Sequence, residues 1–382
     1  MPSTNEDTAV SSAPVQNGSE IKATLVRIFE QVLQQTPIGE DDDFFDLGGD
    51  SIQGINLMLE IEKVTGQALP VTVLYNAPSI SRIAAHLTKQ SAPLQCPCLV
   101  LFSRTGGSKP PLFLIHDVTG DVLIFRDLAR RLPVDRPIYG LRARGLENGE
   151  APATDIEEMA RDYLAQIRTV QPQGPYFLGG FSLGGIVAHE MANILREQGQ
   201  RIGWLGLFDT SVLRHQLAAV DRLVYDYARI VRKLRTLRRL PRSERRTSLV
   251  RVLQQLVWRR PRDMSVYGNL SAYAGNPAIL ANMKRIRAAS LRAASTFRLR
   301  YFPGEISFFF AQVRDFSSAI DATPYWRRYA RALKIFCVPA GHVGMLRPPG
   351  VDLLAEQVRA SLGYSANAGS QASSDHDETE TR

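Results

Sequence analysis

Ser182 lies in the run Gly180-Phe181-Ser182-Leu183-Gly184, and its neighbours suggest what its hydroxyl does. An apolar stretch, Tyr176–Leu178, leads in. A helical pattern with Ile186, Val187, Met191, Ile194 and Leu195 leads out to Gly199. A serine set by small neighbours between a strand and a helix reads as a nucleophile elbow, a strained turn exposing the hydroxyl at a helix N-terminus. Developing negative charge is favoured there. Such a serine needs a base to take its proton and a carboxylate to fix that base. The chain order serine, acid, histidine selects them. Asp209 ends the apolar run Trp204–Phe208, 27 residues after Ser182. A carboxylate at a strand's C-terminal end lies where open α/β sheets build their sites. Its rival is Asp315, after the run Ile306–Phe310. Of the six histidines, His342 alone follows the final strand-like run on a glycine-flanked loop, in PAGHVGML. His116 precedes the serine, His189 lies in the helix after it, and His86, His215 and His376 lie elsewhere. The oxyanion of a tetrahedral intermediate needs two donors. They are read as the backbone N–H groups of Leu183 and Val118, the latter in the loop His116–Gly120. This set calls for no metal.

A second serine invites different chemistry. In DDDFFDLGGDSI, Asp41 to Ile52, Gly48 and Gly49 open a tight turn and Asp50 is placed to cap a helix. Ser51 then opens that helix, where free amides stabilise an attached phosphate. Taken alone, the same residues also describe an ordinary helix-capping serine.

The elements that must hold these groups fall into two regions. Between residues 19 and 88 the pattern is helical: Ser19 as a cap with Ile21, Leu25, Ile28, Phe29 and Leu33 on one face, then Ile52, Ile55 and Leu59, then Ile80, Ile83, Ala84 and Leu87. This predicts a small all-α bundle. Residues 89–110, with Pro, Gly and Ser at both ends, read as a linker with a short strand at Leu99–Phe102. From 111 to 363, strand-like runs alternate with helical stretches, which predicts a mostly parallel sheet with helices on both faces. Residues 1–18 and 364–382 read as disordered. The length of 382 residues fits two domains, and 44% apolar with 22% charged residues is ordinary globular composition. No apolar run is long enough to span a membrane, no secretory signal opens the chain, and three cysteines cannot form a disulfide framework. A cytoplasmic location is expected.

The motifs resemble known families. Residues 19–88 look like a peptidyl carrier domain of nonribosomal peptide synthetases, with FFDLGGDSI similar to the 4′-phosphopantetheine attachment site and Ser51 in the place of the modified serine. Residues 111–363 look like the thioesterase domain of nonribosomal peptide and polyketide synthetases, an α/β-hydrolase, on the strength of PLFLIHDVTG, YFLGGFSLGG, LGLFDTS and GHVGML in that order. The resemblance implies the triad Ser182, Asp209 and His342, with Val118 as second oxyanion residue. Asp117 departs from the family pattern, since a carboxylate there opposes oxyanion charge unless it points away.

Charge is uneven. Residues 1–91 carry 12 acidic and 5 basic side chains, whereas residues 213–300 carry 21 basic and 4 acidic. The resemblance makes 213–300 a helical lid. Its arginines read as a solvated face, as a docking surface for the acidic carrier, or as a membrane-surface contact. Nucleic acid is not expected as a partner, for no recognition motif is present. The expected function is release of an acyl or peptidyl group from a phosphopantetheine thioester through a Ser182 acyl-enzyme, by hydrolysis or cyclisation. Alternatives are an acyltransferase using an external acceptor, or a non-catalytic carrier that presents cargo. Expected partners are a phosphopantetheinyl transferase and adenylation or condensation enzymes acting in trans.

Overall fold

Helical periodicity in the first hundred residues and strand–helix alternation thereafter fold as separate units, Met1–Gln95 and Cys96–Arg382. The computed structural model describes residues 18–49, 51–67, 69, 73–88, 98–103, 109–132, 135–146, 150–227, 231, 277–313 and 321–363. The disorder expected of 1–17 and 364–382, the linker positions 89–97 and 104–108, Asp50, Asp315 and the Arg-rich stretch 232–276 lie outside the described residues.

In the first unit, α1 (Gly18–Leu33) buries Ile21, Leu25, Ile28, Phe29 and Leu33. Ser19 is inside its first turn and is not the residue before the helix. α2 (Ser51–Thr65), α3 (Val73–Asn76) and α4 (Ile80–Thr88) complete the unit. α4 buries Ile80, Ile83, Ala84 and Leu87. Phe44 fills the centre, edge-on to Phe29 at 5.7 Å. α2 buries Leu57, Met58 and Ile61, while Leu59 of the predicted stripe is only half-buried; the side chains of Ile52 and Ile55 lie outside the described residues. Leu57, Met58, Leu59 and Ile61 are nearly contiguous, and periodicity alone cannot choose among them.

The second unit is a seven-stranded sheet in the order β1-β3-β2-β4-β5-β6-β7. The strands are β1 (Leu99–Ser103), β2 (Leu112–Ile115), β3 (Ile138–Leu141), β4 (Tyr176–Phe181), β5 (Ile202–Phe208), β6 (Phe302–Ala311) and β7 (Ala330–Val338). Only β1 runs antiparallel, against β3. The stretch read as a linker thus supplies the sheet's edge strand. Helices α5 (Arg126–Arg131), α6 (Ile156–Arg168), α7 (Leu183–Glu197), α8 (Pro277–Thr296), α9 (Thr323–Trp326) and α10 (Gly350–Ser361) lie between or after the strands. β2 and β4 at the centre are apolar and almost fully buried, as strands covered on both faces must be. Asp155 caps α6, accepting from the amides of Glu157 and Glu158. α7 is buried from Leu183 to Leu195, which makes it the central crossover helix.

Candidate active site

Ser182 closes β4 and opens α7 at φ 57°, ψ −114°, a conformation an L-residue rarely adopts. The strain is held from outside the turn, because the Ser182 amide donates to the Phe208 carbonyl of β5 at 2.9 Å. Gly184 lies against the Ile115 and His116 carbonyls at the end of β2, and a β-carbon there would overlap both. That close approach seats the loop His116–Gly120 beside the elbow. The amide of Leu183 is in the first turn of α7, where the helix itself offers no acceptor.

Asp209 follows β5 at φ 40°. Its amide donates to Phe309 O at 2.7 Å, and its Oδ1 accepts from the Ala311 amide at 3.2 Å, both on β6. The other oxygen, Oδ2, lies 2.7 Å from Nδ1 of His342. His342 comes from the loop after β7, and its ring stacks on Phe181 with centroids 4.5 Å apart. Exposures of 8% for Ser182, 4% for Asp209 and 2% for His342 place the three away from bulk water. A carboxylate can only accept, so Nδ1 carries the proton and Nε2 is the basic nitrogen. This is the tautomer a serine-activating base requires.

Asp117 is buried and folds onto its own loop, its Oδ1 accepting from the amide (2.8 Å) and hydroxyl (2.5 Å) of Thr119. Burial pushes its carboxyl above the usual range, partly offset by those hydrogen bonds and by the field of His342. Val118 is buried in the same loop.

The structure therefore brings Asp209 and His342 together and sets His342 against the residue before Ser182. The Phe181 stack and the Ala311 amide were not foreseen. Phe181 lies within the motif, but only the fold shows what it faces, and a backbone amide on a distant strand leaves no trace in sequence.

In the first unit, α2 begins at Ser51 after a turn in which Gly48 N bonds to Phe45 O at 3.1 Å and Gly49 N to Phe44 O at 3.0 Å. The side chain of Ser51 lies outside the described residues. A helix start with unsatisfied first-turn amides fits a covalently attached phosphate.

Among the described residues no helix is long and apolar enough to cross a membrane, and no group of His, Cys, Asp and Glu is arranged to hold a metal.

Comparison with known proteins agrees with this division. The phosphopantetheine attachment site family model matches residues 23–87, and the thioesterase domain family model matches residues 110–362. The dimodular nonribosomal peptide synthase of Bacillus subtilis (strain 168) is 40% identical over 185 residues, covering 48% of this chain and 8% of that protein. Malpibaldin synthetase of Mortierella alpina is 29% identical over 361 residues, covering 94% of this chain and 6% of that protein. The chain thus spans less than a tenth of the length of either relative. A crystal structure of a holo four-domain nonribosomal peptide synthetase superposes with a TM-score of 0.52 at 22% identity, covering 94% of this chain and 27% of that one. With two thirds of its length matched by one family model, and a phosphopantetheine carrier domain ahead of it, this chain belongs to the thioesterase domain family.

Proposed function

We propose that the chain releases an acyl or peptidyl group, carried as a phosphopantetheine thioester, through an ester on Ser182, in nonribosomal peptide-type biosynthesis. The observation that carries this reading is the buried 2.7 Å contact between His342 Nδ1 and Asp209 Oδ2, beside a strained Ser182. The arm attached to Ser51 supplies a thiol that holds the acyl group.

His342 Nε2 takes the Ser182 proton as Oγ attacks the thioester carbonyl, and Asp209 stabilises the imidazolium. The amides of Leu183 and Val118 face the oxyanion. As the tetrahedral species collapses, the C–S bond breaks and His342 returns the proton to the departing thiolate. The same imidazole then activates water, or an amine or hydroxyl of the acyl chain, to cleave the ester by hydrolysis or cyclisation. Splitting the transfer into two steps lowers each barrier.

Partners on this reading are a phosphopantetheinyl transferase and adenylation and condensation enzymes, in the cytoplasm. The described part of the lid, 213–227 with α8, belongs to the hydrolase unit, and α8 buries Met283, Ile286, Ala289 and Ala293.

The test is intact-mass analysis of protein treated with coenzyme A, a phosphopantetheinyl transferase and an acyl donor. Ser51→Ala should block arm attachment. Ser182→Ala should accept the arm and retain the acyl group that the native chain releases. Equal release by native protein and Ser182→Ala would reject the reading. An acyl product that appears only with an added acceptor would favour acyltransfer.

A further inference from the structure

His116 is a buried imidazole that the proposed reaction does not use, and it lies at the start of the loop that carries Val118. Its ring is fully buried. Its Nδ1 contacts the Asp117 carbonyl oxygen, and its Nε2 contacts the hydroxyl of Tyr163 on α6. The two rings meet edge to face with centroids 5.6 Å apart. A carbonyl only accepts, so Nδ1 carries the proton, Nε2 is bare, and the Tyr163 O–H donates to it. Protonating the ring would reverse the second contact and leave the buried phenol proton without its acceptor.

The Asp117 carbonyl and the Val118 amide are two ends of one planar peptide unit, and in the trans form C=O and N–H point in opposite directions. Holding the carbonyl therefore fixes the direction of the Val118 N–H. A donor on the oxygen also draws electron density from the peptide and makes the N–H a stronger donor. The same oxygen accepts from the Gly120 amide at 3.3 Å, which closes the loop over the peptide.

We propose that Tyr163 and His116 are positioning residues for thioester cleavage: Tyr163 fixes the neutral His116 ring, and His116 holds the Asp117–Val118 peptide so that the Val118 amide is aimed at the oxyanion. This inference rests on the function proposed above and on Val118 as second donor. It gives a role to a histidine that chain order excludes from the triad. Burial also keeps His116 neutral, with a pKa lowered to about 4, so the tautomer holds throughout the neutral range.

The experiment compares Tyr163→Phe, His116→Leu and His116→Asn in the full chain. Two readouts are used: kcat and KM on a small acyl thioester, and the rate of Ser182 labelling by a fluorophosphonate, whose phosphoryl oxygen develops charge in the same hole. Tyr163→Phe keeps the ring and removes one proton donor; kcat should fall about 10-fold with KM within about twofold. His116→Leu should lose about 100-fold, close to removal of one oxyanion donor. His116→Asn, whose Nδ2–H sits where the imidazole Nδ1–H was, should recover at least about 10-fold of that loss. Labelling rates should follow the same order. Tyr163→Phe within twofold of native, or His116→Asn no better than His116→Leu at equal thermal stability, overturns the proposal. A native chain that is labelled rapidly but cleaves no thioester overturns the proposed function instead, and the labelling rates of the variants still test the pair.

Discussion

Two serines open helices behind glycine turns in this chain, and their surroundings differ in range. Ser51 follows a turn closed mainly by near neighbours: Leu47 N bonds to Asp43 O, Gly48 N to Phe45 O and Gly49 N to Phe44 O, while Phe44 N donates to Pro78 O and Leu47 O accepts from the Gln35 side chain. A β-carbon at Gly49 would stand 2.5 Å from the Phe44 carbonyl, so the turn admits no side chain there. Ser182 is held by Phe208 of β5, and His342, 160 residues away in sequence, stacks on the neighbouring Phe181 and is itself fixed by an acid that leans on β6. A serine modified by another enzyme needs only presentation, and a mainly local turn supplies that. A serine that attacks by itself needs a base and an acid delivered by a whole sheet.

The sharpest way to break this comparison is to delete each hydroxyl. Ser182→Ala should lower acyl release by on the order of 10³–10⁶-fold while leaving attachment of the arm unchanged, and adding His342→Ala should cost little more, because triad members act as a unit. Ser51→Ala should do the opposite, abolishing attachment while a small diffusing thioester is still cleaved. Mass analysis and thioester kinetics on the same samples read both. If Ser51→Ala also impaired cleavage of the small thioester, the two serines would not be separable functions.

Asp209→Asn comes next. The asparagine keeps the shape and the Ala311 contact but offers His342 the wrong partner for its Nδ1–H, so kcat should fall roughly 10³–10⁴-fold. Asp315→Asn should leave kcat unchanged, and the reverse pattern would move the acid to the end of β6.

What was legible in the sequence follows the same division of range. Ser182, Asp209 and His342 stand out as candidates because each adjoins a strand end marked by a run of apolar residues, and the structure pairs two of them, His342 with Asp209. The apolar runs Tyr176–Leu178, Trp204–Phe208 and Ile306–Phe310 all fall in strands, each longer than the run itself. Features set by register were not legible. β6 pairs with β5 through Gly206↔Ser307 to Phe208↔Phe309, and this register sets Ala311 N against Asp209. Asp117 looked hostile to an oxyanion, but its hydrogen bonds with Thr119 fold it back on its own loop. His116 looked spare because its partner, Tyr163, is 47 residues away on another element.

Stability offers a weaker contrast between the units. In the hydrolase, Glu190 of α7 is fully buried and pairs with Arg300 at 2.6 Å, and Arg300 also bonds to Glu197. Arg300→Met would leave that carboxylate buried and alone. Because Arg300 itself is partly exposed, the expected loss is about 2–3 kcal/mol, below the range for a wholly buried pair. That lowers Tm by roughly 5–10 °C for a unit of this size. All three tryptophans, Trp204, Trp258 and Trp326, lie in the second unit, so fluorescence reports its melting. Hydrogen exchange of α1 and α4 should not change.

A further loss of stability is expected in mild acid, and it should be confined to the hydrolase. His116 and His189 are fully buried there, and burial lowers both pKa values to about 4. His116 is faced by Asp121 and Arg142 as well as by Asp117 and Tyr163, and His189 by Arg300 beside the rings of Phe302 and Trp326. The unfolded chain protonates these imidazoles near pH 6.5, while the folded chain resists until about pH 4. Between those values the unfolded state binds more protons, so stability falls as pH falls, and above 6.5 neither group contributes. At pH 5 each histidine should cost about 2 kcal/mol relative to pH 7. Asp117 and Glu190 act in the other sense: burial raises their folded pKa values, so the folded state takes up their protons first on acidification. The net loss should therefore be smaller than the two histidines alone would give, read by urea unfolding with tryptophan fluorescence at pH 7 and pH 5. His189→Phe, which keeps an aromatic ring between Phe302 and Trp326, should remove about half of the histidine contribution. An unchanged pH dependence in that variant would mean that His189 is already protonated in the fold, or reaches water. Among its described residues the carrier unit buries no imidazole, so hydrogen exchange of α1 should vary less over the same interval.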